Sequence, residues 1–132
     1  MRQKISSGSP YEADIGFSRA VRAGSILAIS GTAPVAEDGS VACPGDVYGQ
    51  TLRCLQIIGD AIAEARLSIE DVLRTRIMLR DIDSWRGAAR AHSEIFGGVN
   101  PACTFVEVSR FIDPEWLVEI EADCVVPACD EQ

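Results

Sequence analysis

The sequence predicts a two-layer α+β domain: one mixed β-sheet with two helices packed on one face. Three observations carry this. Apolar residues recur at spacings of three and four over 47–64 and again over 85–96, which is the helical period. Runs at 73–79, 103–108 and 117–126 alternate between two sets of side chains, which is the strand period. The order is strands, helix, strand, helix, strands, which places amphipathic helices against a single sheet. At 132 residues the chain is one domain, spanning 1–132.

In chain order, Lys4-Ile5-Ser6 is a short strand and Pro10 to Gly16 reads as loop. Ser18–Arg22 and Ile26–Ser30 flank the turn Ala23-Gly24-Ser25 and form a hairpin. Ser30-Gly31 ends the second strand, and Asp38-Gly39 marks another turn. Asp46 is placed to cap a helix over Val47–Glu64, with Tyr48, Thr51-Leu52, Leu55, Ile58 and Ile62 on one stripe. Ser68 to Asp71 resembles a small capping box. In the strand that follows, Leu73, Thr75, Ile77 and Leu79 share one face, opposite Arg74, Arg76, Met78 and Arg80. Ser84 is placed to cap a second helix, Trp85–Phe96, with Ala88, Ala89, His92 and Phe96 turned inward, and Gly97-Gly98 stops it. In strand 103–108, Thr104, Val106 and Val108 oppose Cys103, Phe105 and Glu107. In the last strand, Val118, Ile120, Ala122, Cys124 and Val126 oppose Leu117, Glu119, Glu121, Asp123 and Val125. Residues 128–132 read as a frayed tail.

Two helices cover one face of the sheet only. The other face mixes charges with apolar residues, so it meets solvent or an oligomeric partner, and the partner is favoured. The formal net charge of −8 argues against nucleic acid as a ligand, because that affinity comes mostly from basic side chains on phosphates. Arg74, Arg76 and Arg80 could form a local basic patch, but a solvated or inter-subunit polar face is the simpler reading. No run approaches the roughly 20 apolar residues of a membrane span. The first ten residues carry no apolar signal core, so the expected location is the cytoplasm. The five cysteines include no Cys-x-x-Cys pair and there is a single histidine, His92, so reduced thiols and no zinc site are expected.

The end of the chain is the most informative stretch. Pro101-Ala102-Cys103-Thr104-x-Val106-Glu107-Val108 is followed by Val118-Glu119-Ile120-Glu121-Ala122, with two carboxylates on alternate positions of an apolar strand. Gly24 to Gly31, Gln50-Thr51-x-x-Cys54-Leu55-x-x-Ile58 and Val72-x-x-Thr75-x-Ile77 precede it in the same order. Taken together, from about Ser9 to Val126, these segments resemble the Rid family, formerly called YjgF. The resemblance implies a chorismate-mutase-like fold and a homotrimer with a small-molecule ligand in each of three clefts between subunits. For the best-known branch it also implies hydrolysis of enamines and imines to 2-keto acids and ammonia, without a cofactor.

In that branch an arginine in the Pro-Ala turn grips the substrate carboxylate, a last-strand glutamate positions water, and an aromatic residue and the Ser-Gly stop line the pocket. Carried onto this chain, the resemblance makes Glu121 the catalytic acid, with Glu119 second. It makes Phe17, Ser30, Gly31, Arg90, Cys103 and Thr104 the substrate-binding residues. Two positions depart from the pattern. Cys103 stands where the arginine is expected, and a thiol offers neither a cation nor a fork of donors. Phe17 replaces a tyrosine, which removes a hydroxyl. Arg90 lies near the position of a pocket asparagine and offers a positive charge; the alternative is a solvated helix arginine. His92 is read as a packing residue before a base, and Trp85 and Trp116 as core or interface aromatics. The expectation is therefore a deaminase-like hydrolase that is not a standard 2-imino acid deaminase, or else a non-catalytic trimer that binds a small metabolite.

Overall fold

The structure is a computed structural model and describes residues 2–127. The elements are β1 (Arg2–Ile5), α1 (Pro10–Ile15), β2 (Ala20–Ala23), β3 (Ile26–Thr32), α2 (Val47–Glu64), β4 (Val72–Leu79), α3 (Trp85–Phe96), β5 (Ala102–Glu107) and β6 (Val118–Val125). One six-stranded sheet has the order β1-β2-β3-β6-β4-β5; β4 and β5 run parallel and the other neighbours antiparallel. The two-layer α+β architecture expected from the alternation of periods is the one observed.

Local chemistry explains most boundaries. Gly24, at φ 58°, turns β2 into β3. Helix α2 starts after Asp46, but the Asp46 side chain makes no cap hydrogen bond; Ser84 before α3 makes none either. The Ser84 hydroxyl instead donates to Asp81 O at 2.7 Å, closing a 3₁₀ turn that feeds α3. The capping box is present as read: Glu70 N donates to Ser68 Oγ, and Ser68 N donates to Asp71 Oδ2.

The stretch from Pro10 to Gly16, which reads as loop in the sequence, instead forms helix α1 over Pro10–Ile15. Its start signal is Ser9-Pro10: the serine oxygen accepts from Tyr11 N and the proline occupies the first helical turn, where a missing N–H costs nothing. Gly16, at φ 93°, ends it in the left-handed region.

The core lies between the sheet and the helices α2 and α3. Ile77 and Leu79 of β4, Val118, Ile120, Ala122 and Cys124 of β6, and Leu27 and Ile29 of β3 meet Cys54, Leu55, Ile58 and Ile62 of α2. Full burial of each large aliphatic side chain contributes about 1.5–3 kcal/mol. Three face assignments change. Leu73 is 59% exposed, because a register shift between Val72 and Arg74 turns Val72 inward in its place. On α2 the buried stripe takes Gln50 and Cys54, while Tyr48 turns outward to bond Glu94. On α3 Ala91 is buried, and Ala89 and His92 lie at the margin.

Trp116 is core, edge-on to Tyr11 at 5.8 Å; Trp85 is 40% exposed and edge-on to Phe105 at 6.4 Å. Gln50 ties the β6 approach to α2: its amide donates to Glu115 O and its carbonyl accepts from Leu117 N. Tail residues 128–132 and Cys129 lie outside the described residues.

Candidate functional site

The open face of the sheet carries Arg76 on β4, Glu119, Glu121 and Asp123 on β6, and Ser30 on β3. Here the two last-strand carboxylates part company. In register, Glu121 stands opposite Arg76, whose Nη1 donates to Glu121 Oε1 at 3.2 Å and to Asp123 Oδ2 at 3.1 Å. These side chains are a third or more exposed, so the pairs add at most about 1 kcal/mol of stability. They nevertheless occupy the Glu121 carboxylate.

Glu119 has no such partner among the described residues. It lies beside the irregularity in the β3–β6 ladder between Ile29 and Thr32, where Ser30 and Gly31 bow out of register. A β-carbon at Gly31 would sit 3.5 Å from Glu119 Oε1, so this carboxylate lies directly over the glycine. Burial raises the Glu119 carboxyl above its ordinary value; the Arg19 charge opposes the rise and the Glu121 charge adds to it. A half-buried carboxyl held above its usual range is suited to proton transfer nearer neutral pH.

Arg19 was not singled out by sequence. It is 6% exposed, and its Nη1 donates to Gly31 O at 2.7 Å and Thr32 Oγ1 at 2.9 Å, fixing the bulge beneath Glu119. Its Nε lies 3.5 Å from Glu12 Oε2. The hydroxyls of Ser6 and Ser7 and the Ser7 amide donate to the Glu12 carboxylate. Burial alone would raise the Glu12 carboxyl, but these hydrogen bonds and Arg19 together lower it. The stability this group provides is thus complete above its ordinary value near 4.5 and is lost as pH falls through the depressed native value. Glu12→Gln is expected to lower stability at pH 7 by about 1.5–3 kcal/mol. It should also flatten the acid limb of urea midpoint against pH relative to wild type; parallel limbs would show that Glu12 is not linked to folding.

The remaining sequence candidates fall into separate places. Phe17 and Ser30 line one wide, shallow cavity of about 560 Å³ on the open face, together with Gly16 and Val21. Phe17 lies under the Arg19 guanidinium at 5.2 Å. The Ser30 hydroxyl donates to Ser18 O at 2.7 Å, so its own proton is committed to the hairpin. Cys103 and Thr104 are on β5, and both are exposed. Thr104 pairs with Arg76 on the open face, whereas Cys103 pairs with Thr75 and so points to the helix side. Three strand spacings, about 14 Å, separate β3 from β5. One chain therefore does not bring Ser30 and Gly31 together with Cys103 and Thr104.

Arg90 stacks on the Tyr48 ring at 3.8 Å on the outer side of α3, which makes it a helix-surface arginine. His92 Nε2 lies 2.9 Å from Thr75 Oγ1, and its ring sits 4.8 Å from Phe96. Burial lowers its pKa, which suits a neutral packing histidine. Cys54 and Cys124 are core thiols; burial pushes Cys54 far up and Cys124 to about 11. Among the described residues, no group of three or more histidines, cysteines or acids could hold a metal ion.

The family model "Endoribonuclease L-PSP" matches residues 8–126. The chain belongs to the YjgF/Rid family. An uncharacterized protein of Streptomyces coelicolor is 40% identical over 97% of this chain and 95% of its own length. A RutC family protein of Pyrococcus abyssi is 31% identical over 80% of this chain and 83% of its own. Among solved structures, Rv2704 of Mycobacterium tuberculosis, described as a member of the YjgF/YER057c/UK114 family, superposes with a TM-score of 0.86. It is 39% identical and the match covers 96% of this chain and all of that one. Membership in the YjgF/Rid family accounts for the sheet order and the two covering helices. No helix among the described residues is long and apolar enough to cross a membrane.

Proposed function

We propose that this Rid-family chain acts in the cytoplasm as a homotrimer that hydrolyses a small enamine, imine or related carbonyl-adjacent nitrogen compound, without a cofactor, in clefts between subunits. The observation that carries the proposal is the Glu119 carboxyl, raised by burial and seated over Gly31 on a sheet face that no helix covers. In its carboxylate form Glu119 takes a proton from water as the water oxygen adds to the imine carbon. That proton passes to the nitrogen, giving a carbinolamine. The carbinolamine hydroxyl proton then moves through Glu119 to the same nitrogen as the C–N bond breaks, the carbonyl forms and ammonia leaves. Phe17 provides an apolar wall and Gly31 leaves room beside the acid. Thr104 comes from the open face of the neighbouring chain, and Cys103 comes from the exposed edge strand β5 of that chain, where it meets the cleft at the sheet edge.

Two features support a shared site. The candidate residues are divided between strands about 14 Å apart. The open face also carries exposed Ile26, Val106 and Val125 around its charges, a composition suited to contact with another subunit. Glu119 takes the role that sequence alone favoured for Glu121, because Arg76 already holds Glu121. We place the chain in a subgroup that lacks the turn arginine, so standard 2-imino acids are poor substrates.

A second reading, a trimer that binds a metabolite without turning it over, draws on the exposed Cys103: no arginine fork stands there to orient a substrate carboxylate. The ribonuclease activity in the family model's name is disfavoured by the net charge of −8 and by the engagement of the single histidine with Thr75. A panel of enzymatically generated imines and enamines, with carbonyl product and ammonia as readouts, tests the proposal. Stoichiometric release above the buffer rate for at least one member is expected. Binding without release across the panel would favour the second reading.

A further inference from the structure

A cavity of about 260 Å³ lies on the other side of the Gly31 bulge, between the loop of Ser7 to Pro10, the start of the β3–α2 connection, and α2. It is separate from the open-face cavity of Phe17 and Ser30. Two guanidiniums line it. Arg19 is almost fully buried; both its hydrogen bonds leave from Nη1, and its buried Nε has no hydrogen-bond acceptor. Arg53 is half-buried and is held by Val35 O at Nε, 2.7 Å, and by Gln56 Oε1 at Nη1, 2.8 Å. Neither Nη2 meets a protein acceptor among the described residues. Pro10, Val35 and Ile57 provide apolar walls.

We infer that this cavity is a binding site for a small monocarboxylate with a short apolar chain. Arginine stays charged at any ordinary pH, and its planar fork matches a carboxylate. Burying such a cation with an unmade donor is costly unless an anion compensates. Glu12 supplies only part of the compensation, because its oxygens accept from Ser6 and Ser7, and Arg19 approaches no closer than 3.5 Å. Exposed Glu37 lines the cavity as well, so a second negative charge on the ligand is disfavoured, and the unfilled guanidinium donors rather than a net positive charge favour a single carboxylate. The volume falls below the roughly 300–1,000 Å³ of drug-sized sites, which sets the ligand at a few carbons. The inference is independent of catalysis at Glu119.

Amide NMR of the full chain, titrated with sodium butyrate at neutral pH, tests it against butyramide and against sodium chloride at equal ionic strength. Saturable shifts are expected at Ser7, Gly8, Ala33, Ala36 and Ile57, with little response at Phe17, Ser30 or Glu119, and none of the same pattern from butyramide. Arg53→Gln should weaken butyrate at least tenfold, and Arg53→Lys should weaken it less. Shifts that do not saturate, that butyramide or chloride reproduces, that centre on Phe17 and Ser30, or that survive Arg53→Gln unchanged would overturn the assignment. The butyramide comparison requires no variant, so it stands whatever the stability of the substituted chains.

Discussion

Glu119→Gln is expected to lower hydrolysis of any imine the protein accepts by about 10²–10⁴-fold, the range for removal of a positioned general base. Glu121→Gln should lower it by less than about tenfold, because its carboxylate is already committed to Arg76. The amide keeps the size of the acid but cannot take a proton from water. The wild-type rate should rise with pH through the native value of Glu119, since the carboxylate is the working form. Burial holds that value above 4.5, so the acid limb should lie above the ordinary glutamate range and vanish in Glu119→Gln. A wild-type rate in Glu119→Gln, or a larger loss in Glu121→Gln, would return the role to Glu121 or remove it from β6 altogether.

Cys103→Arg is expected to raise turnover of a 2-imino acid by roughly ten- to hundredfold. A charge-assisted hydrogen-bonded contact to a carboxylate contributes about 1.5–3 kcal/mol, and each 1.4 kcal/mol is a factor of ten. Position 103 is exposed on the edge strand β5, so a longer side chain fits without displacing core. The gain should appear in kcat/KM for substrates that carry a carboxylate and be absent for neutral imines. Equal effects on both classes would mean that the arginine does not meet the carboxylate.

Much of the fold was legible because its signals are local. Helix α2 spans Val47–Glu64 and α3 spans Trp85–Phe96, as their periodicity indicated. A sustained apolar stripe reports the helix whatever packs on it. Helix α1 gives little periodic signal because it is only six residues long; its mark is Pro10 at the first helical position, where the fixed backbone angle helps the turn form. Leu73 escaped because a bulge breaks the alternation: Val72 pairs with Cys124 and Arg74 with Asp123, which leaves Leu73 as the extra residue, and that pairing is visible only once β6 is in place.

The candidate site was legible by face and not by residue. Glu119 and Glu121 are equivalent by period, and only cross-strand neighbours separate them: Gly31 beside one, Arg76 beside the other. Those neighbours are distant in sequence. Arg19 gave still less signal, since an arginine in a short hairpin normally reads as solvated, and its burial depends on Glu12, Gly31 and Thr32 meeting at one point. Phe17 and Ser30 line one cavity, whereas Arg90 lies on the outer side of α3 against the Tyr48 ring.

Everything proposed for Glu119 rests on a second chain completing the cleft. Sedimentation equilibrium at micromolar concentration tests that most directly. The expected mass is three times the 14.2 kDa of one chain. A stable 14.2 kDa monomer across the concentration range would contradict the account, since Gly31 and Cys103 would then never face one ligand.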